Sequence, residues 1–91
     1  MTTPRTSDSG ARILRVLKAL KGYSVHGISN GELAKGLGES PANINRAVNT
    51  LIAEGLAVKL DNGRFATSIA LLQIAQAHAN EMSAAQHRIN E

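Results

Sequence analysis

Asn43, Asn45, Arg46 and Asn49 fall within seven consecutive residues, with Ala42 just before them. A primary amide offers a donor and an acceptor side by side, which matches N6 and N7 of adenine. A guanidinium offers two donors, which match O6 and N7 of guanine, and a small alanine lets a helix sit deep or touch a thymine methyl. At about 100° per residue from Ile44, the residues Ala47, Val48 and Leu51 cluster within about 60°. Ala42, Arg46 and Asn49 lie on the far side, with Asn43, Asn45 and Thr50 on the flanks. Asparagine is a poor helix former, and a merely solvated face is usually built of Glu, Lys and Gln. Three asparagines on one short helix therefore point to hydrogen bonding with base edges. Ser40 and the free N–H groups at the helix start suit a phosphate. Lys59 and Arg64, on either side of a turn, suit phosphate or a minor groove. Lys35 and Arg12 are further backbone candidates, whereas Arg15, Lys18 and Lys21 read as solvated.

The elements that must position these residues are legible in the same way. Ile13, Val16, Leu17 and Leu20 recur at helical spacing, widened by Leu14, and predict a first helix from about Ser9 to Lys21. Asp8 or Ser9 is its expected cap, and Gly22 its C′ residue. Ser29 and Glu32 form a capping-box pair for a second helix, which buries Leu33, Ala34 and Leu37 and ends at Gly38. Ser40 and Pro41 open a third helix over 40–54, with Ile44, Ala47, Val48 and Leu51 buried and Gly55 closing it. Leu56, Val58 and Leu60 alternate as a strand, Asp61-Asn62-Gly63 turns, and Arg64 to Thr67 returns, giving a hairpin over 56–67. Val25 or Ile28 is positioned to add a short strand beside it, and Phe65 reads as core. Thr67 or Ser68 caps a last helix, which runs through Ala79 or further before its apolar signal fades. Its apolar residues cover more than one face, so it is expected to pack on the first helix and on a partner copy.

The fold class that follows is mainly α: a winged helix-turn-helix with a three-helix core, a two-stranded wing and a C-terminal linker helix. Residues 1–8 read as a disordered arm, 9–67 as the DNA-binding domain and 68–91 as a helix that supports a homodimer. The chain has 91 residues, and Tyr23 and Phe65 are its only aromatics. Its core is thin, and dimerisation adds stability. Residues 1–67 carry a net charge of +4 and residues 68–91 of −1, so the positive charge sits on the DNA-binding part. That balance favours polyanions.

Several function classes are set aside on composition and spacing. Cysteine is absent, which removes disulfides and thiolate metal sites and agrees with a cytoplasmic location. No apolar run approaches the roughly 20 residues of a membrane span, and the N-terminus lacks a secretory apolar region. His26, His78 and His87 are not spaced as metal ligands. No phosphate loop or paired catalytic carboxylates are present. No catalysis, cofactor or metal is expected.

The sequence resembles the N-terminal domain of IclR-type transcriptional regulators. The resemblance spans about residues 11–79. It rests on Glu32-Leu33-Ala34, Gly38, Arg46, Thr50-Leu51, Gly55-Leu56 and Gly63-Arg64-Phe65. It implies a winged helix, a linker helix that supports a dimer, and transcriptional control. Regulators of that family carry a large C-terminal effector-binding domain, whereas this chain ends just after the linker helix, so no small-molecule effector is expected. The outward face of the third helix is this chain's own, and no operator carries over. The expected function is sequence-specific binding of double-stranded DNA. The alternatives are a protein-binding adaptor with the same fold and a low-specificity architectural or recombination accessory factor.

Overall fold

The computed structural model describes residues 5–89. Its elements run α1 (Asp8–Ala19), α2 (Asn30–Leu37), α3 (Pro41–Ala53), β1 (Ala57–Lys59), β2 (Phe65–Thr67) and α4 (Ile69–Ile89). Residues 1–4 of the expected N-terminal arm lie outside the described residues. Asp8, counted with that arm on sequence grounds, belongs to α1.

Ser7 caps α1, one residue before the expected pair: its Oγ accepts from the Gly10 N–H at 3.1 Å. Asp8 therefore falls in the first turn, where a negative charge meets the positive end of the helix dipole. Val16 and Leu20 are fully buried, with Ile13 and Leu17 beside them at the edge of the core. Leu14 is exposed rather than part of this face. It lies about 160° round the helix from Val16 at 100° per residue.

The α2 start is the anticipated capping box. Ser29 Oγ accepts from the Glu32 N–H at 3.1 Å, and the Ser29 N–H donates to Glu32 Oε1 at 3.3 Å. Gly38 ends α2 in the left-handed region at φ 67°, a conformation in which a Cβ would be strained. Three residues later the chain is helical again, and this tight reversal sets α3 across α2. Asn30 Nδ2 locks the two starts together by donating to the Pro41 carbonyl at 3.1 Å.

Ile44, Ala47, Val48 and Leu51 of α3 are buried, as the helical spacing predicts. They form the centre of the core with Val16, Leu20, Leu33 and Ala34. The wing follows at once. β1 and β2 are antiparallel with Ala57 opposite Thr67, Val58 opposite Ala66 and Lys59 opposite Phe65. Ile28 adds a bridge on the other edge, exchanging two 2.9 Å backbone bonds with Phe65. Phe65 is thus core.

The inward face of β1 differs from the expected alternation. Ala57 is buried against α3, Leu56 and Leu60 are half-buried, and Val58 is 39% exposed. Successive strand residues point to opposite faces, so the face that meets α3 carries the alanine and Val58 turns away.

Ser68 anchors α4. Its N–H donates to the Leu56 carbonyl at 3.1 Å, its hydroxyl donates to the Gly55 carbonyl, and its Oγ accepts from the Leu71 N–H at 3.4 Å. The helix continues to Ile89, well past the point where its apolar signal fades. Packing on α1 is confined to its root. Half-buried Leu71 lines an open apolar cleft with Leu17, Lys18, Lys21 and Thr67, while Ile69, Leu72 and Ile74 are 72%, 65% and 60% exposed. The sequence expects α4 to pack on α1 and on a partner copy; in this single chain every residue from 72 to 88 faces solvent, so α1 covers none of that stretch. Among the described residues no helix is both long and apolar enough to cross a membrane.

Candidate nucleic-acid interface

One side of α3 is wholly committed to the core, and its opposite side is open. Ser40, Ala42, Asn45, Arg46 and Asn49 are exposed. Neither Asn45 nor Asn49 makes a side-chain hydrogen bond among the described residues, so both amides keep their donors and acceptor for a partner. The start of α3 is less open than the sequence suggests. Pro41 has no N–H, the Asn43 N–H donates to Ser40 Oγ at 3.1 Å, and the Ile44 N–H donates to the Ser40 carbonyl at 3.0 Å. Only the Ala42 N–H of that first turn is left to meet a phosphate.

Asn43 behaves differently from its two neighbours. It is half-buried, and its Nδ2 donates to Glu39 Oε2 at 3.2 Å. Its Oδ1 accepts from Arg46 Nη2 at 3.2 Å. Behind it, Arg12 Nε lies 3.1 Å from Glu39 Oε1. Four side chains from α1, the α2–α3 turn and α3 thus form one run: Arg12, Glu39, Asn43, Arg46. The hydrogen bond from Asn43, and then the adjacent Arg12 guanidinium, holds the Glu39 carboxyl below its ordinary range. Thr50 Oγ1 is turned back onto the helix and donates to the Arg46 carbonyl at 2.9 Å.

On the wing, Lys59 is exposed, whereas Arg64 is drawn inward. Arg64 Nη2 pairs with Glu32 Oε1 at 2.5 Å, and its Nε donates to the Gly27 carbonyl at 3.2 Å. Asn62 completes the latch: Oδ1 accepts from the Arg64 N–H at 2.9 Å, and Nδ2 donates to the His26 carbonyl at 3.2 Å. Arg64, expected on sequence grounds to suit phosphate or a minor groove, thus has partners within the chain while its side chain stays 39% exposed. Nε and one Nη2 hydrogen of its guanidinium are engaged within the chain because the hairpin folds back against the loop before α2. The Glu32 carboxyl is held low by the Ser29 side-chain and backbone hydrogen bonds, and secondarily by the Arg64 charge.

Sequence reasoning missed Glu39 altogether. The spacing from Glu39 to Asn43 and from Asn43 to Arg46 is i+4 and i+3, so that part of the run was available from helical periodicity. The Arg12 contact, across the fold, left no such trace.

The model of the IclR helix-turn-helix domain matches residues 9–61. The chain belongs to that family. The match takes in nearly all of α1, both helices of the helix-turn-helix and β1, so the open face of α3 lies on the part that defines the family. An IclR-type helix-turn-helix is a DNA-binding domain of transcription regulators, not a catalytic one. A comparison with curated proteins found no match. The winged architecture read from the sequence is that of this IclR-type domain, with the two-stranded sheet directly after α3.

Proposed function

We propose that this IclR-type domain binds duplex DNA sequence-specifically, with α3 in the major groove and the wing against the backbone or minor groove beside it. Asn45, Arg46 and Asn49 reach base edges, Ala42 lets the helix approach closely, and the N-terminal turn at Ser40 meets a phosphate. Lys59 supplies the backbone contact from the wing. Asn43 and Arg64 serve behind this surface. Two copies joined through α4 set two such helices on a two-fold symmetric site.

One observation carries this reading. The amides of Asn45 and Asn49 and the guanidinium of Arg46 stand together on the uncovered side of a helix whose other side is fully buried. That is an outward-facing set of donors and acceptors, carried on a helix fixed by its buried side, of the kind the major groove admits.

Selection of bound sequences from a random duplex pool tests it. A two-fold symmetric consensus is the expected result. Arg46→Ala then weakens binding to that consensus by roughly 1–3 kcal/mol and relaxes preference at one position of each half-site. A pool that stays unenriched while still binding points instead to an architectural factor of low specificity. Absence of binding even at about 50 mM salt, where charge-driven association is strong, points to a protein-binding adaptor.

A further inference from the structure

Arg46 is the single cation on the outward face of α3, and it does not stand alone. Its Nη2 rests on Asn43 Oδ1 at 3.2 Å, and Asn43 Nδ2 rests on Glu39 Oε2 at 3.2 Å. The orientation of the amide between them follows from chemistry. An ionised carboxylate only accepts and a guanidinium only donates. Asn43 must therefore turn its NH2 toward Glu39 and its oxygen toward Arg46. Glu39 is in turn held from behind by Arg12 at 3.1 Å, and its side chain is only 19% exposed. The two carboxylate oxygens thus have separate partners, one on α1 and one on α3.

We infer that Glu39 is a positioning residue for base recognition: through Asn43 it sets the guanidinium of Arg46 in the orientation that reads a guanine, although Glu39 itself touches no DNA. The inference rests on the proposed docking of α3. A free arginine side chain samples many rotamers, and holding one Nη2 hydrogen removes much of that freedom before binding. The second Nη2 hydrogen and both on Nη1 stay available for O6 and N7. The arrangement also places a negative charge one residue before the α3 cap. A carboxylate there repels phosphates that approach out of register, so it lowers affinity for arbitrary sequence while it sharpens the choice of base.

The test is selection from a random duplex pool with the full chain and with Glu39→Gln, Asn43→Ala and Arg46→Ala, together with the thermal midpoint of each. Glutamine keeps the size of Glu39 but only one of its two acceptor oxygens, so its NH2 must face either Arg12 or the Asn43 amide, and the run loses one of its contacts. Arg46→Ala is expected to erase a guanine preference at one step, a discrimination of roughly five- to hundredfold. Glu39→Gln and Asn43→Ala are expected to weaken the preference at that same step several-fold, and Glu39→Gln to bind random duplex more tightly than the parent. A purely structural role lowers affinity for all sequences alike and leaves the ratio at that step unchanged. That result, from either variant while Arg46→Ala flattens the step, overturns the inference alone. An Arg46→Ala profile identical to the parent's overturns the docking of α3 and the inference with it.

Discussion

Lys59 and Arg64 carry the same charge and lie within five residues of each other around one turn, yet the fold gives them different work. Arg64 has Glu32 and the Gly27 carbonyl as partners, whereas Lys59 projects from β1 into solvent. A cation that reaches phosphate releases counterions on binding. Lys59→Ala is therefore expected to weaken all duplexes about equally and to lower the slope of log affinity against log salt by about 1. Titrations of consensus and random duplex over a range of salt read both effects. An unchanged slope places the wing away from the backbone. The carboxylates on the other side of these contacts make a second prediction. Glu32 and Glu39 are both harder to protonate in the folded chain, the first through Ser29 and then Arg64, the second through Asn43 and then Arg12. Unfolded glutamates titrate near about 4.3. The stabilisation from each is thus complete above that value and is lost as pH falls through the lowered folded one. Solvent screens both groups, so the contribution is modest. Thermal unfolding from about pH 7 to about pH 3 is expected to show the midpoint falling below about pH 5. The Glu32→Gln, Glu39→Gln double variant should lose less over that interval. An equal loss assigns the acid sensitivity to other groups.

Among the elements, those fixed by neighbours in sequence were legible and those fixed by distant contacts were not. The Ser29–Glu32 box, the Ser40-Pro41 start and the buried stripe of α3 each need only residues a few positions apart, and each stands as read. The inward face of β1 depends on how close the strand passes to α3, which no local period encodes, and there Ala57 takes the place expected for Val58. The wing is a sharper case. Its angle to the helix-turn-helix is set by the loop before α2, through the Ile28–Phe65 bridge, the Asn62–His26 bond and the Arg64 latch. Gly27 makes that approach possible. It sits at φ 74°, and a Cβ there would lie 2.8 Å from Arg64 Cβ and 2.9 Å from Leu60 Cδ1. Gly27→Ala is therefore expected to cost at least about 1–2 kcal/mol in stability from the backbone alone. It should also loosen the hairpin, seen as faster amide exchange at Phe65 and Leu60 than at Val48 or Leu51. Gly22, likewise at positive φ but with nothing within 4 Å of its Cβ position, is the control. Alanine there carries the backbone strain without the collision, so exchange in the wing should stay as in the parent. Equal loosening by both variants would leave the wing angle independent of this packing.

At the scale of the molecule, the question is what covers α4. The core is complete without it: Val16, Leu20, Leu33, Ile44, Val48 and Leu51 are closed by the three helices and the wing, and among the described residues none of α4 joins that cluster. A helix of 21 residues that leaves Ile69, Leu72, Ile74 and Met82 in water has little reason to persist from propensity alone. Leu72, Ala75, Ala79 and Met82 follow one another at spacings of three, four and three. That spacing suits the short seam of the proposed two-stranded pairing, with alanines in the middle that let two backbones come close. In the proposed dimer a second copy of the same helix meets this seam with equal length and the same pattern, and a two-fold pairing closes on itself without leaving a sticky end. The pairing also bears on DNA. A single α3 reads only a few base pairs, whereas two α3 helices held by α4 gain from binding one site together, because the second contact becomes intramolecular. Leu72→Glu puts a charge on the large apolar residue that opens the seam and leaves the core untouched. It is expected to shift sedimentation from dimer to monomer and to reduce helix content by circular dichroism, since α4 loses its support. Affinity for the two-fold site should drop while that for a half-site stays as in the parent. Retention of the dimer by Leu72→Glu would move the contact to the opposite side of α4, at Ile74. A parent chain that sediments as a monomer at high micromolar concentration would remove the pairing altogether.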